Sequence, residues 1–308
     1  MERKITCSPH IHSNETTAKI MWSVVISLIP AAIGSVYFFG VYALKIIGVS
    51  VISCVLTELL SQVIFRKKIR IFDGSAVITG LLFAFVLPPR IPLWMVSLGG
   101  FLAIFLVKEL FGGLGFNIFN PALTSRAILL SSFPVEMTKF TVPLDYRVDA
   151  ITTATPLAII KENLNVHLPS YWQMFIGNRA GCIGETSILL LLIGGIFLLW
   201  RRVITWHIPV SYILTVAILS LIFRQDVLFQ IMAGGLILGA FFMATDYVTS
   251  PITPKGKIIF GTGCGIITFL IRMKGGYPEG VCYSIIFMNM FVPLINRYTL
   301  PRKFGGRK

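Results

Sequence analysis

The sequence predicts an all-α polytopic membrane protein, with about ten transmembrane helices arranged as two inverted five-helix repeats that contain broken helices. Three observations carry that expectation: an excess of apolar residues, a series of apolar runs long enough to cross a bilayer, and a basic-residue bias that orients those runs consistently. Of the 308 residues, 55% are apolar and 13% charged, and the mean hydropathy is +0.82. Soluble domains average about 45–50% and about 25%. One soluble core of this size cannot hide so much apolar surface, and the same composition excludes intrinsic disorder. The formal charge of +14 would suggest nucleic acid in a soluble chain. In a membrane chain, the sidedness of Lys and Arg accounts for it, so no nucleic-acid partner is expected.

Residues 1–19 are polar and include Arg3, Lys4, Glu15 and Lys19. They lack the short apolar region and small-residue cleavage site of a signal peptide, and read as a retained segment. A bilayer core of about 30 Å needs about 20 apolar residues, fewer where helices are broken. Ten segments satisfy this: 20–40, 43–65, 75–88, 91–108, 117–133, 184–200, 203–223, 227–245, 257–271 and 281–295. Pro30, Pro121 and Pro209 interrupt three of them, as buried or cavity-lining helices permit. The division is therefore 1–19 N-terminal segment, 20–133 first repeat, 134–183 outer loop, 184–295 second repeat and 296–308 basic tail.

Orientation follows from Arg66-Lys67-Lys68-Ile69-Arg70, a cluster expected to stay cytoplasmic. The N-terminus, two spans earlier, then falls on the same side, as does the tail from Arg302 to Lys308. Of the 27 Lys and Arg, 17 fall inside and 10 outside. The loop 134–183 faces out, and both termini are expected in the cytoplasm. A weak repeat supports two halves. An offset of 163 pairs Pro88 with Pro251, Gly100 with Gly263, Ile104 with Ile267 and Gly112-Gly113 with Gly275-Gly276; upstream, Gly80-Leu-Leu-Phe pairs with Gly239-Ala-Phe-Phe. Five spans per half force the second copy to insert upside down, with function expected near the repeat interface.

Several polar residues fall within or at the ends of these runs: Glu58, Lys108, Glu109, Asn117, Asn120, Arg126, Asp246 and Asn289. A charge at the bilayer centre costs about 2.5–3.5 kcal/mol on insertion scales, so such groups face the bundle interior. Glu58 is the sharpest case, readable as a cation-binding group or as a structural partner of Lys45 or a neighbouring helix. Lys108, Glu109 and Asp246 are expected near interfaces, with their charges reaching water. Glu58 first and Asp246 second are the ion-path candidates. Five cysteines without CxxC or Cys/His spacing argue against a metal site or a disulfide framework. The glycine-rich stretches 111–117 and 274–280 suit either re-entrant packing or a polar ligand at a helix start; neither is a dinucleotide-binding fingerprint.

In the outer loop, residues 149–155 read D-A-I-T-T-A-T and precede Pro156. On physical grounds Thr155 is an ordinary N-cap and Pro156 the first residue of a helix continuing as LAIIKEN. A threonine hydroxyl among small residues on an exposed turn is also reachable by a modifying enzyme. The stretch resembles the D-x-x-[S/T]-G-A-T motif at which a flavin transferase esterifies FMN through its phosphate to the final threonine. Asp149, Thr152, Ala154 and Thr155 match, and Thr153 stands where Gly is common. Other stretches look like the same family: FDGSAVITGLLFAFVLPP (72–89), KELFGGLGFNIFNPALTSRA (108–127), SFPVEMT (132–138), ETSILLLLIGG (185–195), GAFFMATDYVTSPITPKG (239–256) and GGYPEGVCYSIIFMN (275–289).

Together they resemble the family of the D subunit of the Rnf ion-translocating electron-transport complex, related to the B subunit of the Na⁺-translocating NADH:quinone reductase. The resemblance covers nearly the whole chain and strengthens the inverted-repeat expectation. It implies a flavin-carrying subunit, not catalytic alone, of a complex that couples ferredoxin/NAD electron transfer to Na⁺ or H⁺ translocation in the cell inner membrane. It implies FMN on Thr155, a non-covalent riboflavin within the bundle, a flavin transferase for maturation, and other Rnf-type subunits as partners. Those subunits would bind nicotinamide and ferredoxin, since this chain shows no dinucleotide or iron–sulfur motif. The alternative is an inverted-repeat solute channel or permease without a redox role, because fold alone does not set function.

Overall fold

A computed structural model describes residues 16–144, 152–162, 168–276 and 279–301. The chain is largely helical, as the composition requires. Helix α1 (Thr17–Phe39) begins where Thr16 caps it by accepting the Lys19 N–H, and carries Pro30 internally. Gly40 ends it in an extended positive-φ conformation and passes the chain directly to α2 (Val41–Ile64). Helix α3 (Ser75–Phe85) is short. Helix α4 (Leu93–Phe101) widens into a π-helical stretch over Leu102–Glu109, and α5 (Pro121–Ser132) follows with Asn120 as N-cap and Pro121 in its first turn. Among the described residues, α1, α2 and a later helix, Pro254–Lys274, are long and apolar enough to cross a membrane.

The outer connection contains more structure than a plain loop. A one-turn helix α6 (Pro134–Met137), a minimal antiparallel pairing of β1 (Phe140–Thr141) with β2 (Thr152–Thr153), α7 (Pro156–Lys161) and α8 (Tyr171–Ile176) all lie there. The two short strands are a small addition to an otherwise all-α chain. Helices α9 (Ile188–Trp200) and α10 (His207–Ile222) come next. The apolar run 227–245 is not one helix. It breaks at Ala233–Gly235 into α11 (Val227–Met232) and α12 (Leu236–Leu238), which continues as a π-helical turn over Gly239–Met243. Gly234 adopts φ +64° there, a left-handed conformation that glycine tolerates without steric cost. The chain ends with α13 (Pro254–Lys274) and α14 (Val281–Thr299), the latter carrying an internal Pro293.

The described core runs through the whole bundle, from Leu28 and Ile46 through Phe83, Phe85 and Leu123 to Tyr212, Phe260 and Ile285. Its outward faces carry Ile33, Leu44, Leu56, Leu60, Leu214 and Leu221, all exposed, as lipid-facing positions must be. Helix α2 packs on α3 and α4, α10 packs on α13, α1 packs on α9, and α5 packs on α14. The connection from α8 to α9 folds back onto the bundle: the Ile183 and Gly184 N–H groups donate to the carbonyls of Leu87 (3.0 Å) and Phe85 (2.9 Å).

Candidate functional site

The Thr155 segment is held on both sides. Pairing of Phe140 with Thr153 and of Thr141 with Thr152 anchors its N-terminal end, and α7 anchors the other. Thr155 is the N-cap: its Oγ1 accepts the Ala158 N–H at 3.3 Å, with Pro156 in the first turn. The helix-start reading therefore holds. The side chain is 4% exposed, so the hydroxyl is less accessible than an exposed turn suggested. A cavity of about 680 Å³ opens beside it, lined by its neighbours Thr153, Ala154 and Pro156 on one side and by Ser170, Gln173, Asn178 and Arg179 on the other. Asp149 lies outside the described residues, and of Thr152 only the backbone is described. The loop cations divide: Lys139 pairs with Glu136 at 2.8 Å, Lys161 donates to the Ile271 carbonyl at 3.3 Å, and Arg179 reaches the cavity wall.

Arg179 also forms the roof of a buried polar group where the 134–183 connection meets the bundle, the end expected to face out. Its guanidinium donates to the carbonyls of Glu185 (2.6 Å), Thr186 (3.2 Å), Gly234 (3.4 Å) and Met232. Arg272, from α13, donates to the Ala233 carbonyl at 2.9 Å and to Gln230 Oε1 at 3.1 Å. Arg126, from α5, donates to Glu279 Oε2 at 2.7 Å and to Cys182 Sγ at 3.5 Å. The Cys182 N–H donates to Glu185 Oε1 at 3.1 Å. A sulfur or carboxylate oxygen from each of Cys182, Glu185 and Glu279 lies within 4.8 Å of the others. Glu185 and Cys182 stand in the connection ahead of α9. Glu185 is buried beside Glu279, and burial pushes the Cys182 thiol well up. Cysteine spacing could not reveal this group, because the residues that meet are far apart in sequence. The one available signal was a carboxylate set within or beside an apolar run.

The end near the basic cluster 66–70, expected to face the cytoplasm, carries a different group. Lys108 donates to Glu58 Oε1 at 2.9 Å and to Ser75 Oγ at 2.7 Å, and Gln62 adds a 3.2 Å bond to the same Glu58 oxygen. Lys67 pairs with Glu109 at 2.9 Å. The partner of Glu58 is thus Lys108 and not Lys45, which lies on the same helix α2 about 20 Å away along its axis; Lys108, in the π-helical stretch, meets Glu58 while its neighbour Glu109 meets Lys67. Such widenings often mark functional positions. Lys108 and Glu109 are buried, so their charges do not reach water as expected; they are neutralised by partners instead.

Between the halves, a cavity of about 90 Å³ is lined by Ser75, Lys108, Asn117, Asn120, Thr245 and Asp246, among apolar side chains of α1, α3 and the π-turn after α12. It has room for a few water molecules. Asp246 borders this cavity and accepts the Thr249 hydroxyl at 2.9 Å. Beside it Asn120 and Asn289 meet. Asn120 Nδ2 donates to the Met243 carbonyl at 3.2 Å. Asn289, with its amide turned to match its neighbours, donates to the Thr249 and Ile285 carbonyls (3.0 and 3.2 Å) and accepts the Asn120 N–H at 3.1 Å. Glu58 and Asp246, the two ion-path candidates, are joined through Lys108, which touches the first and lines the cavity of the second.

Residues 4–305 match the model of the NQR2, RnfD, RnfE family. The chain is 50% identical over 319 residues to the D subunit of the proton-translocating ferredoxin:NAD(+) oxidoreductase complex of Clostridium ljungdahlii, covering 99% of this chain and 96% of that one. It is 48% identical over 307 residues to the D subunit of the Na(+)-translocating ferredoxin:NAD(+) oxidoreductase complex of Acetobacterium woodii, with the same coverage. It is 36% identical over 348 residues to the D subunit of the ion-translocating oxidoreductase complex of Salmonella newport, covering 99% of both.

Proposed function

The chain belongs to the NQR2, RnfD, RnfE family, and from that premise we propose that it is the flavin-carrying membrane subunit of an ion-translocating ferredoxin:NAD oxidoreductase complex. The observation that carries this reading is the pairing of the Thr155 motif with the cavity beside it. The wall fits the group: apolar Val142, Pro143 and Ile159 suit a flat ring system, and Ser170, Gln173, Asn178 and Arg179 suit a polar chain and a phosphate. Thr155 Oγ1 must turn from the Ala158 N–H to carry a phosphoester, a loss of one capping bond worth about 1 kcal/mol. FMN supplies one- and two-electron redox chemistry when bound. The protein holds it against the cavity wall and sets its electrostatic surroundings.

The finer architecture belongs to the same proposal. Ten spans in two inverted repeats are supported by like pairings in the two halves. Gly100 of α4 packs so closely on α2 that a Cβ would lie 2.8 Å from Ser53 Oγ, and Gly265 of α13 does the same on α10 against Thr215 Cβ at 2.6 Å. Small residues allow such approach in membranes. The first helices of the halves, α1 and α9, pack on each other, as do the last, α5 and α14. In this reading the chain sits in the cell inner membrane with both termini cytoplasmic and Thr155 outside. A flavin transferase matures it, other subunits supply the electron donor and acceptor, and a riboflavin occupies the bundle. Its relatives carry different ions in their names at nearly equal identity, so the coupling ion, Na⁺ or H⁺, is set by particular residues. Glu58 and Asp246 are the proposed ion-path residues.

In-gel fluorescence of the denatured chain tests the reading. Thr155→Ala is expected to abolish it, while Thr153→Ala retains it and both variants insert normally. Fluorescence that persists in Thr155→Ala removes the site. For the ion path, Glu58→Gln in the assembled complex is expected to keep electron transfer and lose ion uptake into vesicles. Normal uptake at unchanged subunit stoichiometry makes Glu58 a structural contact.

A further inference from the structure

The outer polar group has an imbalance that neither fold nor flavin attachment requires. Glu185 is 2% exposed, and among the described residues its Oε2 has no hydrogen-bond partner; nor have Glu279 Oε1, Arg126 Nε and Arg272 Nε. Buried polar atoms are nearly always paired, so four in one place, two donors and two acceptors, mark a site that takes something up. The charged and titratable groups facing it are Arg126 from α5, Arg179 from the α8–α9 connection, Arg272 from α13, the thiols of Cys182 and of Cys282 from α14, and Tyr283 of α14, which lines a small cavity with Glu279.

A metal ion fits poorly. Arg126 already occupies Cys182 Sγ and Glu279 Oε2, and with Arg179 and Arg272 it sets three positive charges around the two remaining carboxylate oxygens, which repel a cation. A proton fits. Placed on either carboxyl, it turns an unpartnered acceptor into a donor for the other, directly or through one water. Burial and mutual repulsion hold the proton, because two carboxylates sharing a site resist joint ionisation. The three guanidiniums loosen it. We infer that Glu185 and Glu279 are a shared-proton pair, holding one proton between them at the outer end of the bundle and exchanging it with the outer water as charge arrives in the cavity beside Thr155.

The link to that cavity is short. A Cβ at Gly234 would lie 3.0 Å from the Leu157 side chain, two residues beyond Thr155, 3.3 Å from Arg272 Nη2 and 3.9 Å from Glu279 Cγ. Arg179 spans the same gap, lining the cavity while donating to the Glu185 carbonyl. Negative charge placed there weakens the pull of Arg179 on the carboxylates and raises their proton affinity. The step is proton transfer alone at the pair. One O–H bond forms on a carboxylate oxygen, the proton leaves outer water, and the electron passes from a reduced iron–sulfur or flavin donor of the complex to the flavin.

The coupling, though not the pair itself, rests on Thr155 carrying flavin, and infrared difference spectroscopy of the full chain in D₂O separates the two. In the pH-difference spectrum, a protonated-carboxyl C=O band is expected to lose intensity as pH rises through neutrality. It should persist in Thr155→Ala, vanish in both Glu185→Gln and Glu279→Gln, and remain in Glu58→Gln. A band unchanged in both outer variants overturns the pair. If one variant fails to insert, the other decides. In the reduced-minus-oxidised spectrum of the flavinylated chain, the same band should gain intensity on reduction. Its absence there, with the pH-dependent band intact, overturns the coupling while leaving the pair. Absent flavin fluorescence in the wild-type denatured chain overturns the Thr155 reading instead.

Discussion

The inner and outer polar groups are built from similar residues and end in opposite electrostatic states. At the inner end, one Lys meets one Glu twice over: Lys108 with Glu58 and Lys67 with Glu109. Ser75 and Gln62 fill the remaining positions, leaving Glu58 Oε2 as the one atom of that group without a partner among the described residues. At the outer end, three guanidiniums face two carboxylates, Arg179 and Arg272 donate mostly to backbone carbonyls, and four polar atoms stay unpaired among the described residues. The inner group is a nearly closed ion pair, its one free oxygen left to the proposed ion path. The outer group, in the shared-proton reading, changes its charge by one proton without breaking an ion pair. Burial is therefore not what separates the two groups; the match of donors to acceptors is.

Breaking the inner pair should have the largest effect. Lys108→Met leaves Glu58 buried without its cation and is expected to cost about 3–5 kcal/mol, read by denaturant unfolding in mixed micelles. Adding Glu58→Leu to that variant should recover most of the loss. A loss under about 1 kcal/mol in Lys108→Met would mean that water reaches Glu58 and that the pair is not closed.

At the outer end, Arg126→Met is expected to cost less, about 1–3 kcal/mol, because Arg272 and Arg179 remain and the carboxyl pair can accept a proton. The cost should shrink between pH 8 and pH 6 as the carboxyl pair takes up a proton. A cost that stays level over that range would show that the pair exchanges no proton there.

The third expectation concerns pH directly. Glu185 and Glu279 bring two carboxyls into one buried site, which favours one bound proton in the folded state. A carboxyl raised on folding contributes stability that is full below the unfolded value and is lost as pH rises through the folded one. The wild-type chain should therefore lose stability between about pH 5 and pH 8 relative to Glu185→Gln, as thermal unfolding at a series of pH values would measure. Parallel curves for the two proteins would place the titrating group elsewhere.

The smallest effect is an uncharged control. Tyr212, Thr268 and Ser284 form a fully buried hydroxyl triangle with bonds of 2.6, 2.9 and 2.8 Å. Tyr212→Phe removes one of three mutually satisfied groups and is expected to cost about 1 kcal/mol with no pH dependence below pH 8. A pH-dependent loss here would show that the variants report a global titration rather than the two groups.

Much of this molecule was legible in the order of its residues. The all-α membrane class followed from composition, since 55% apolar residues cannot be buried in one soluble core. The start of α7 followed from Thr155-Pro156, because capping is a local hydrogen bond and a local dihedral preference. The need for Glu58, Asn120 and Arg126 to face inward followed from the cost of a polar group in lipid. Their partners did not follow. Lys45 could be set aside, since it shares the helix of Glu58 at about 20 Å along the axis, but that Lys108 of another helix meets Glu58 was decided by the packing of α4 on α2. The break at Gly234 inside an apparently continuous apolar run, the burial of Thr155 beside its cavity, and the meeting of Arg126, Cys182, Glu185 and Glu279 were decided by packing between segments far apart in the chain. Local propensities and transfer energies are properties of neighbours in sequence and of the surrounding solvent. The pairing of buried charges depends on distances that exist only once the two halves have closed on each other.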